Sequence, residues 1–315
     1  MSANKERAET ERLKALASEQ VNRRSSDLDQ MTTETILLTM NDEDQKVAGA
    51  VRAAIPQITA AVELIVGRFR RGGRLIYVGA GTSGRLAVID ALECPPTFGT
   101  PEGQVAFALA GGPAAMLLAE EGAEDDAARG AEDLRSLELG ADDCIAAVSA
   151  SGRTPYCIGA LQYARSAGAA TIAVSCNANA AMSGLADAAI EVLTGPEVLA
   201  GSTRLKAGTA QKIVLNMLST ASMVRTGRVY GNQMVDMQPS NGKLRQRAVQ
   251  MTADIAGASE EQAKQALEAA GWSIKRAIVC LMAGVDPGEA ERKLAAAGGF
   301  LRTAVTPELR PDRPV

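Results

Sequence analysis

The sequence predicts an α/β protein, a doubly wound parallel sheet flanked by helices, followed by a small C-terminal three-helix module. Three observations predict it. Short apolar runs recur at 74–79, 105–109, 144–148, 171–175 and 188–192, and runs this short and this continuously apolar are the pattern of strands buried on both faces. Longer segments with helical character, such as 114–134 and 155–167, alternate with them, which implies right-handed crossovers and a sheet covered on both sides. Two of the runs end in loops of glycine and hydroxyl residues that lead into helices, where ligands of open α/β sheets collect.

The elements follow in order. Residues 1–70 alternate charged and apolar positions, with Ile58, Val62, Ile65, Val66 and Phe69 at helical spacing, and predict an extended helical N-terminal region. It breaks at Arg71, Gly72 and Gly73, where the sheet domain begins and runs to 248. Within it, residues 209–224 form a long apolar helical stretch and 231–247 a polar segment. Residues 250–303 read as the helical module: 259–270, opened by the capping-box pair Ser259 and Gln262, then 274–283 and 287–296. A tail, 304–315, carries prolines among charges and is expected to be disordered. The helix that follows the first strand is expected to stop at Pro95 and Pro96.

Composition narrows the function. With 46% hydrophobic and 22% charged residues among 315, the chain can bury a full core. Its 33 basic and 37 acidic residues leave a formal charge of -4, which gives no electrostatic reason to expect nucleic acid or an anionic membrane as partner. No apolar stretch is long enough to span a bilayer and the N-terminus is too charged for a secretory signal, so a soluble, cytoplasmic protein acting on small molecules is expected. The five cysteines are scattered and never form a C-x-x-C pair, which indicates neither a disulfide framework nor a zinc site. The chain has no histidine. Ser-His-Asp and Cys-His mechanisms and histidine-ligated metals are thereby excluded, and any general acid or base is a carboxylate, lysine, tyrosine or cysteine.

Three loops and two acidic segments carry the candidate chemistry. GAGTSGR (79–85) places Gly81, Thr82 and Ser83 at a strand end that opens a helix, where glycines admit close approach and a helix N-terminus with hydroxyls suits an anion such as phosphate. It lacks both the acidic ribose ligand of a dinucleotide fold and a P-loop lysine. SASGRTP (149–155) repeats the arrangement with Ser149, Ser151, Gly152, Arg153 and Thr154. The third loop, GSTRLKAGT (201–209), adds Ser202, with Arg204 or Lys206 to neutralise phosphate or stabilise an enolate-like intermediate. The acids lie at Glu93, in DALECPP, and at Glu120, Glu121, Glu124, Asp125 and Asp126. Spacing does not choose among them.

These same segments resemble a family. GAGTSGRLAVIDALECPPTFG (79–99), EGAEDD (121–126), SASGRTPY (149–156), SCN (175–177), GSTRLKAGTAQKIVLNMLST (201–220) and GNQMVDMQPSNGKLRQRAV (231–249) are similar in order and spacing to N-acetylmuramic acid 6-phosphate etherases, which have the sugar isomerase (SIS) fold. The resemblance extends to SSDLD (25–29), to NDED (41–44) and to the C-terminal module, which looks like the ubiquitin-associated type of three-helix fold found in that family. It implies cleavage of the D-lactyl ether of N-acetylmuramic acid 6-phosphate to N-acetylglucosamine 6-phosphate and D-lactate, in cell-wall recycling.

The resemblance also implies that Glu93 and Glu124 are the catalytic pair, Glu93 as proton donor to the lactyl oxygen and Glu124 as the partner acid/base. One departure is Leu92, where the family often has serine. Elimination followed by water addition needs no cofactor and no metal. A homodimer is expected, with the apolar stretch 209–224 supplying the surface and the sites near the interface. Two other readings share the fold: a non-catalytic sugar-phosphate sensor of the glucokinase regulatory protein type, and an aldose-ketose isomerase, which would use a similar glutamate.

Overall fold

The computed structural model describes residues 17–306 apart from 119 and 121. The tail beyond 306, the charged stretch before 17 and Glu121 of the acidic cluster lie outside the described residues. Within the N-terminal region expected to be helical, the described chain first makes three 3₁₀ turns, Ala17–Glu19, Arg23–Ser25 and Leu28–Gln30. Short polar side chains divert the backbone there: Asn22 accepts from the Arg24 N–H, and Ser25 Oγ donates to Val198 O. Helix α1 (Thr33–Ala53) and helix α2 (Ile55–Phe69) follow. Pro56 has no N–H for the preceding turn, and the two helices are bent by 59° at Ala54. Among the described residues no single helix is long and apolar enough to cross a membrane.

Five strands form one parallel sheet: β1 (Leu75–Gly79), β2 (Val105–Leu109), β3 (Cys144–Val148), β4 (Ala170–Ser175) and β5 (Ala188–Glu191), in the order β2-β1-β3-β4-β5. Every residue of β1, β3 and β4 is buried, as continuous apolar runs require. The intervening helices are α3 (Gly81–Phe98), α4 (Ala127–Ser136), α5 (Pro155–Ser166) and α6 (Lys206–Arg225). On one face of the sheet Ile76, Val78, Ile145 and Ala147 pack into a core with Tyr156, Cys157, Ala160 and Leu161 of α5.

Two helical expectations are corrected. Residues 114–134 are not one helix: a 3₁₀ turn at Pro113–Met116 and another at Ala123–Asp125 precede α4. Gly122, inside the segment, has φ 82°, a left-handed backbone that interrupts a helix whatever its neighbours' propensity. Nor does α3 stop at its prolines; it includes both Pro95 and Pro96 and ends at Gly99, φ 58°. Carbonyls of its last turn find donors elsewhere, in the Gln238 N–H to Pro96 O at 3.4 Å and Arg228 Nη1 to Phe98 O at 3.4 Å.

The chain divides into two compact units, one ending at Ala91 and resuming at Gly103–Ser219, the other formed by Leu92–Glu102 and the chain from Thr220 on. The first holds the sheet. The second contains α7 (Gly242–Ala256), α8 (Glu260–Ala269), α9 (Ile274–Ala283), α10 (Pro287–Ala296) and the short α11 (Leu301–Val305). Helix α7 occupies part of the segment read as polar; Asn241 caps it by accepting from the Leu244 N–H. The Ser259–Gln262 capping box forms as expected. The module's own core joins Val235, Met237, Ala248, Leu267, Ile278 and Leu294. Within α6, Val214, Leu215, Leu218 and Met223 are buried, whereas Val224 is exposed.

Candidate active site

The sheet order fixes where a ligand is held. From β1 the chain crosses to β2 on one side, and from β3 to β4 on the other, so their connections part above the adjacent carboxyl ends of β1 and β3. That topological switch point is where open α/β sheets bind ligands. Register places Gly79, the last residue of β1, opposite Val148, the last of β3. The glycine loop therefore leaves on one side of the crevice and the serine loop on the other.

The glycine loop is held down on the sheet. A Cβ on Gly79 would lie 2.8 Å from Gly84 Cα, and one on Gly84 would lie 2.7 Å from Gly79 O, so both positions require glycine for the helix start to meet the strand end. Gly81 takes φ 52° with open space around it, leaving backbone accessible to a ligand. Thr82 is half-buried beside the third loop, with its Cγ2 3.7 Å from where a Cβ on Gly208 would stand. Ser83 is buried and its Oγ lies 3.0 Å from Gln211 Oε1, to which it donates.

The serine loop is a preformed turn. Ser149 Oγ is 2.7 Å from Thr154 Oγ1 and 3.3 Å from Ser151 Oγ. The Gly152 N–H donates to Ser149 Oγ and the Arg153 N–H to Ser151 Oγ. Gly152 has φ 67°, and a Cβ there would lie 2.4 Å from Ala180 Cβ. Because the Thr154 hydroxyl bonds Ser149, the first turn of α5 has no side-chain cap, and an uncapped helix start presents donors and a positive dipole end to an anion. Asn177, in the SCN segment, braces the loop by donating to Ala150 O at 3.0 Å and to Ser18 Oγ at 3.1 Å.

Of the third loop, Ser202 is half-buried and Arg204 exposed. Lys206 is turned elsewhere: its Nζ lies 2.6 Å from Glu43 Oε2 and 2.6 Å from Pro196 O, with 1% of the side chain exposed. Glu197 accepts from the N–H groups of Lys206 and Ala207 at the start of α6; burial raises its pKa against the lowering effect of those hydrogen bonds. Burial also pulls the Glu43 pKa upward, but hydrogen bonds from Lys206 and Lys46 outweigh it and hold the carboxyl at about 2.

Glu124 stands in the Ala123–Asp125 turn and lines a cleft of about 200 Å³ with Gly81, Arg85 and Glu120. Arg85 is held there by donating from Nε to Ala115 O at 2.9 Å and from Nη2 to Leu118 O at 3.4 Å. Close packing brings α4, which follows the Glu124 turn, against α5, which follows the serine loop: a Cβ on Gly130 of α4 would lie 2.0 Å from Tyr156 O, and one on Gly159 of α5 would lie 1.9 Å from Ala127 O. Tyr156 adds a hydrogen bond to Asp133 at 2.6 Å. Glu93 belongs to the second unit, exposed on α3 two residues before Pro95. Among the described residues no group of three or more acidic or cysteine side chains converges as a metal site would.

The structure thus gathers Gly81 with Glu124, Thr82 with the first turn of α6, and Ser149, Ser151, Gly152, Arg153 and Thr154 in one turn. Sequence reasoning missed Arg85, Gln211 and Glu43. Arg85 ends the first quoted motif and was within reach; Gln211, buried with its Nε2 unpaired, is hidden in an apolar helix.

Fold, crevice and loops define a SIS-domain protein with a helical C-terminal module. The sequence profile of the glucokinase regulatory protein N-terminal SIS domain matches residues 57–165, that of the SIS domain 127–221 and that of a UBA-like domain 253–279. Over 293 residues the chain is 57% identical to the N-acetylmuramic acid 6-phosphate etherase of Mycolicibacterium smegmatis, covering 93% of this chain and 98% of that protein. It is 52% identical to that of Mesorhizobium japonicum, covering 93% and 96%, and 52% to that of Geobacillus thermodenitrificans, covering 93% and 99%. The chain belongs to the N-acetylmuramic acid 6-phosphate etherase family.

Proposed function

We propose that this chain cleaves the D-lactyl ether of N-acetylmuramic acid 6-phosphate, giving N-acetylglucosamine 6-phosphate and D-lactate for amino-sugar recycling. The observation that carries this reading is the switch-point crevice, with an uncapped α5 start and hydroxyl loop on one side and the Glu124 cleft on the other, in a chain with 57% identity to a named etherase.

The charges divide the site. Glu120 and Glu124 face the cleft with Arg85, a balance that disfavours a phosphate dianion. The phosphate belongs at the serine loop, where Ser149, Ser151 and Thr154 offer hydroxyls, the α5 start offers N–H groups, and Arg153 supplies charge. Thr82, Ser202 and Arg204 extend the same shell. Lys206 acts one step back, fixing the start of α6 through Glu43. The sugar carbons then lie toward Glu124.

Chemistry follows from two carboxylates. With the sugar open, the C1 aldehyde acidifies the C2 hydrogen. Glu124 takes that proton, the electron pair forms the C2–C3 double bond, and the C3–O bond breaks as Glu93 protonates the departing lactyl oxygen. Water then adds its oxygen to C3 and a proton returns to C2. No redox change occurs.

The working form is a homodimer. Large apolar side chains stand exposed at Leu37 and Leu38 on α1 and at Ile89 and Leu92 on α3, which favours covering by a second copy. Sedimentation at micromolar concentration tests this. A phosphorylated substrate and five cysteines that form no disulfide suit the cytoplasm. The activity is tested by incubating the protein with N-acetylmuramic acid 6-phosphate and assaying D-lactate. Stoichiometric D-lactate is expected; ketose product, or binding without turnover, contradicts the reading.

A further inference from the structure

Helix α3 is weakest where Glu93 stands. Pro95 and Pro96 have no N–H, so the carbonyls of Ala91 and Leu92 lose the helical donors that would stiffen that turn. The helix end is instead held within its own compact unit, by the chain around Arg228. Arg228 Nη1 donates to Phe98 O at 3.4 Å and to Gly99 O at 3.3 Å, a cation set on the negative end of the helix. Gly99 lies so close to the segment around Asp236 that a Cβ there would stand 2.3 Å from the backbone oxygen of Asp236.

Asp236 is the hub of this contact. Its Oδ2 lies 2.5 Å from Lys275 Nζ on α9 and 3.6 Å from Arg228 Nη1. The residues on either side, Val235 and Met237, are buried in the core of the helical module. Burial pushes the Asp236 carboxyl up and the Lys275 ammonium down, each opposed by the charge of the other, so neither ion is stable there without its partner.

We propose that Asp236, with Arg228 and Lys275, is the positioning element for Glu93, and that the C-terminal module serves the reaction by fixing the end of the helix that carries the proton donor. The inference rests on the assignment of Glu93 made above. None of the three side chains touches the reacting atoms; they act through the helix. A misplacement of about 1 Å at an acid can cost roughly 100-fold in rate, so a loosened helix end lowers turnover while leaving phosphate binding intact.

The test uses the full chain and D-lactate release. Arg228→Gln and Asp236→Asn are expected to lower kcat roughly 10- to 100-fold with KM within about twofold, and Lys275→Arg to stay near wild type. Arg228, a quarter exposed, tolerates substitution if Asp236→Asn does not fold. The deciding measurement repeats Arg228→Gln in a Glu93→Gln background: if Arg228 works through Glu93 it costs nothing further there, whereas a merely structural role lowers both backgrounds equally. Wild-type kcat in Arg228→Gln, or an equal loss in both backgrounds, overturns the proposal and leaves the Glu93 assignment standing. Full activity in Glu93→Gln alone overturns that assignment and this inference with it.

Discussion

Lys206 and Glu43 form an ion pair 2.6 Å long, 1% and 2% exposed, that joins the first residue of α6 to α1 across 163 residues of sequence. Glu197 secures the same helix start through two backbone N–H groups. The GSTR loop, immediately before, is therefore anchored by the N-terminal helix.

Breaking this pair on one side leaves an uncompensated buried charge. Lys206→Met or Glu43→Gln is expected to lose about 3–5 kcal/mol of folding stability, read from urea unfolding without ligand. The double variant should lose less than the sum, since the stranded charge is gone. If Lys206 served phosphate alone, ligand-free stability would not change.

The pair also gives acid sensitivity a defined window. The folded Glu43 carboxyl is held at about 2 against an ordinary 4.5, so its contribution is fully present above pH 4.5 and is lost as pH falls from 4.5 toward about 2. The stability difference between wild type and Glu43→Gln should shrink through that window. A difference constant with pH across it would contradict the assignment.

Helix packing beneath the site allows no extra atom. Gly130→Ala or Gly159→Ala places a methyl about 2 Å from a backbone carbonyl of the facing helix, and overpacking of this kind costs about 1–3 kcal/mol. Because α4 follows Glu124 and α5 follows the serine loop, kcat should fall as well. Thermal unfolding and lactate release measured together check both effects.

Much of this was legible in the sequence. The strands at Cys144–Val148 and Ala170–Ser175 are fully buried and announce themselves as short, predominantly apolar runs. The loops after β1 and β3 carry their own backbone demands in Gly79, Gly84 and Gly152. What was not legible depends on partners distant in sequence. Pro95 and Pro96 signal a helix stop, yet α3 runs through both to Phe98, and its last-turn carbonyls find donors in Arg228 and Gln238, more than 100 residues on. Lys206 resembles a phosphate ligand by spacing, and only Glu43, 163 residues away, shows that its ammonium is committed. The helical composition of 114–134 was overridden by left-handed backbone at Gly122.

The cleft residues should separate by kinetic signature. Glu124→Gln and Glu93→Gln are expected to lower kcat by about 100- to 10,000-fold, the range for removing a general acid or base, with smaller changes in KM. Arg85→Ala removes the guanidinium that braces Ala115 and Leu118 beside the cleft, and should raise KM as well as lower kcat. Steady-state lactate release across the three variants checks the pattern.

The central claim, elimination across C2 and C3 followed by hydration, is tested most directly by turnover of N-acetylmuramic acid 6-phosphate in water labelled with both deuterium and heavy oxygen. The account predicts heavy oxygen at C3 and deuterium at C2 of the N-acetylglucosamine 6-phosphate, with unlabelled ether oxygen leaving in D-lactate. Heavy oxygen in the lactate with none in the sugar would mean that the bond on the lactyl side breaks, and would contradict it.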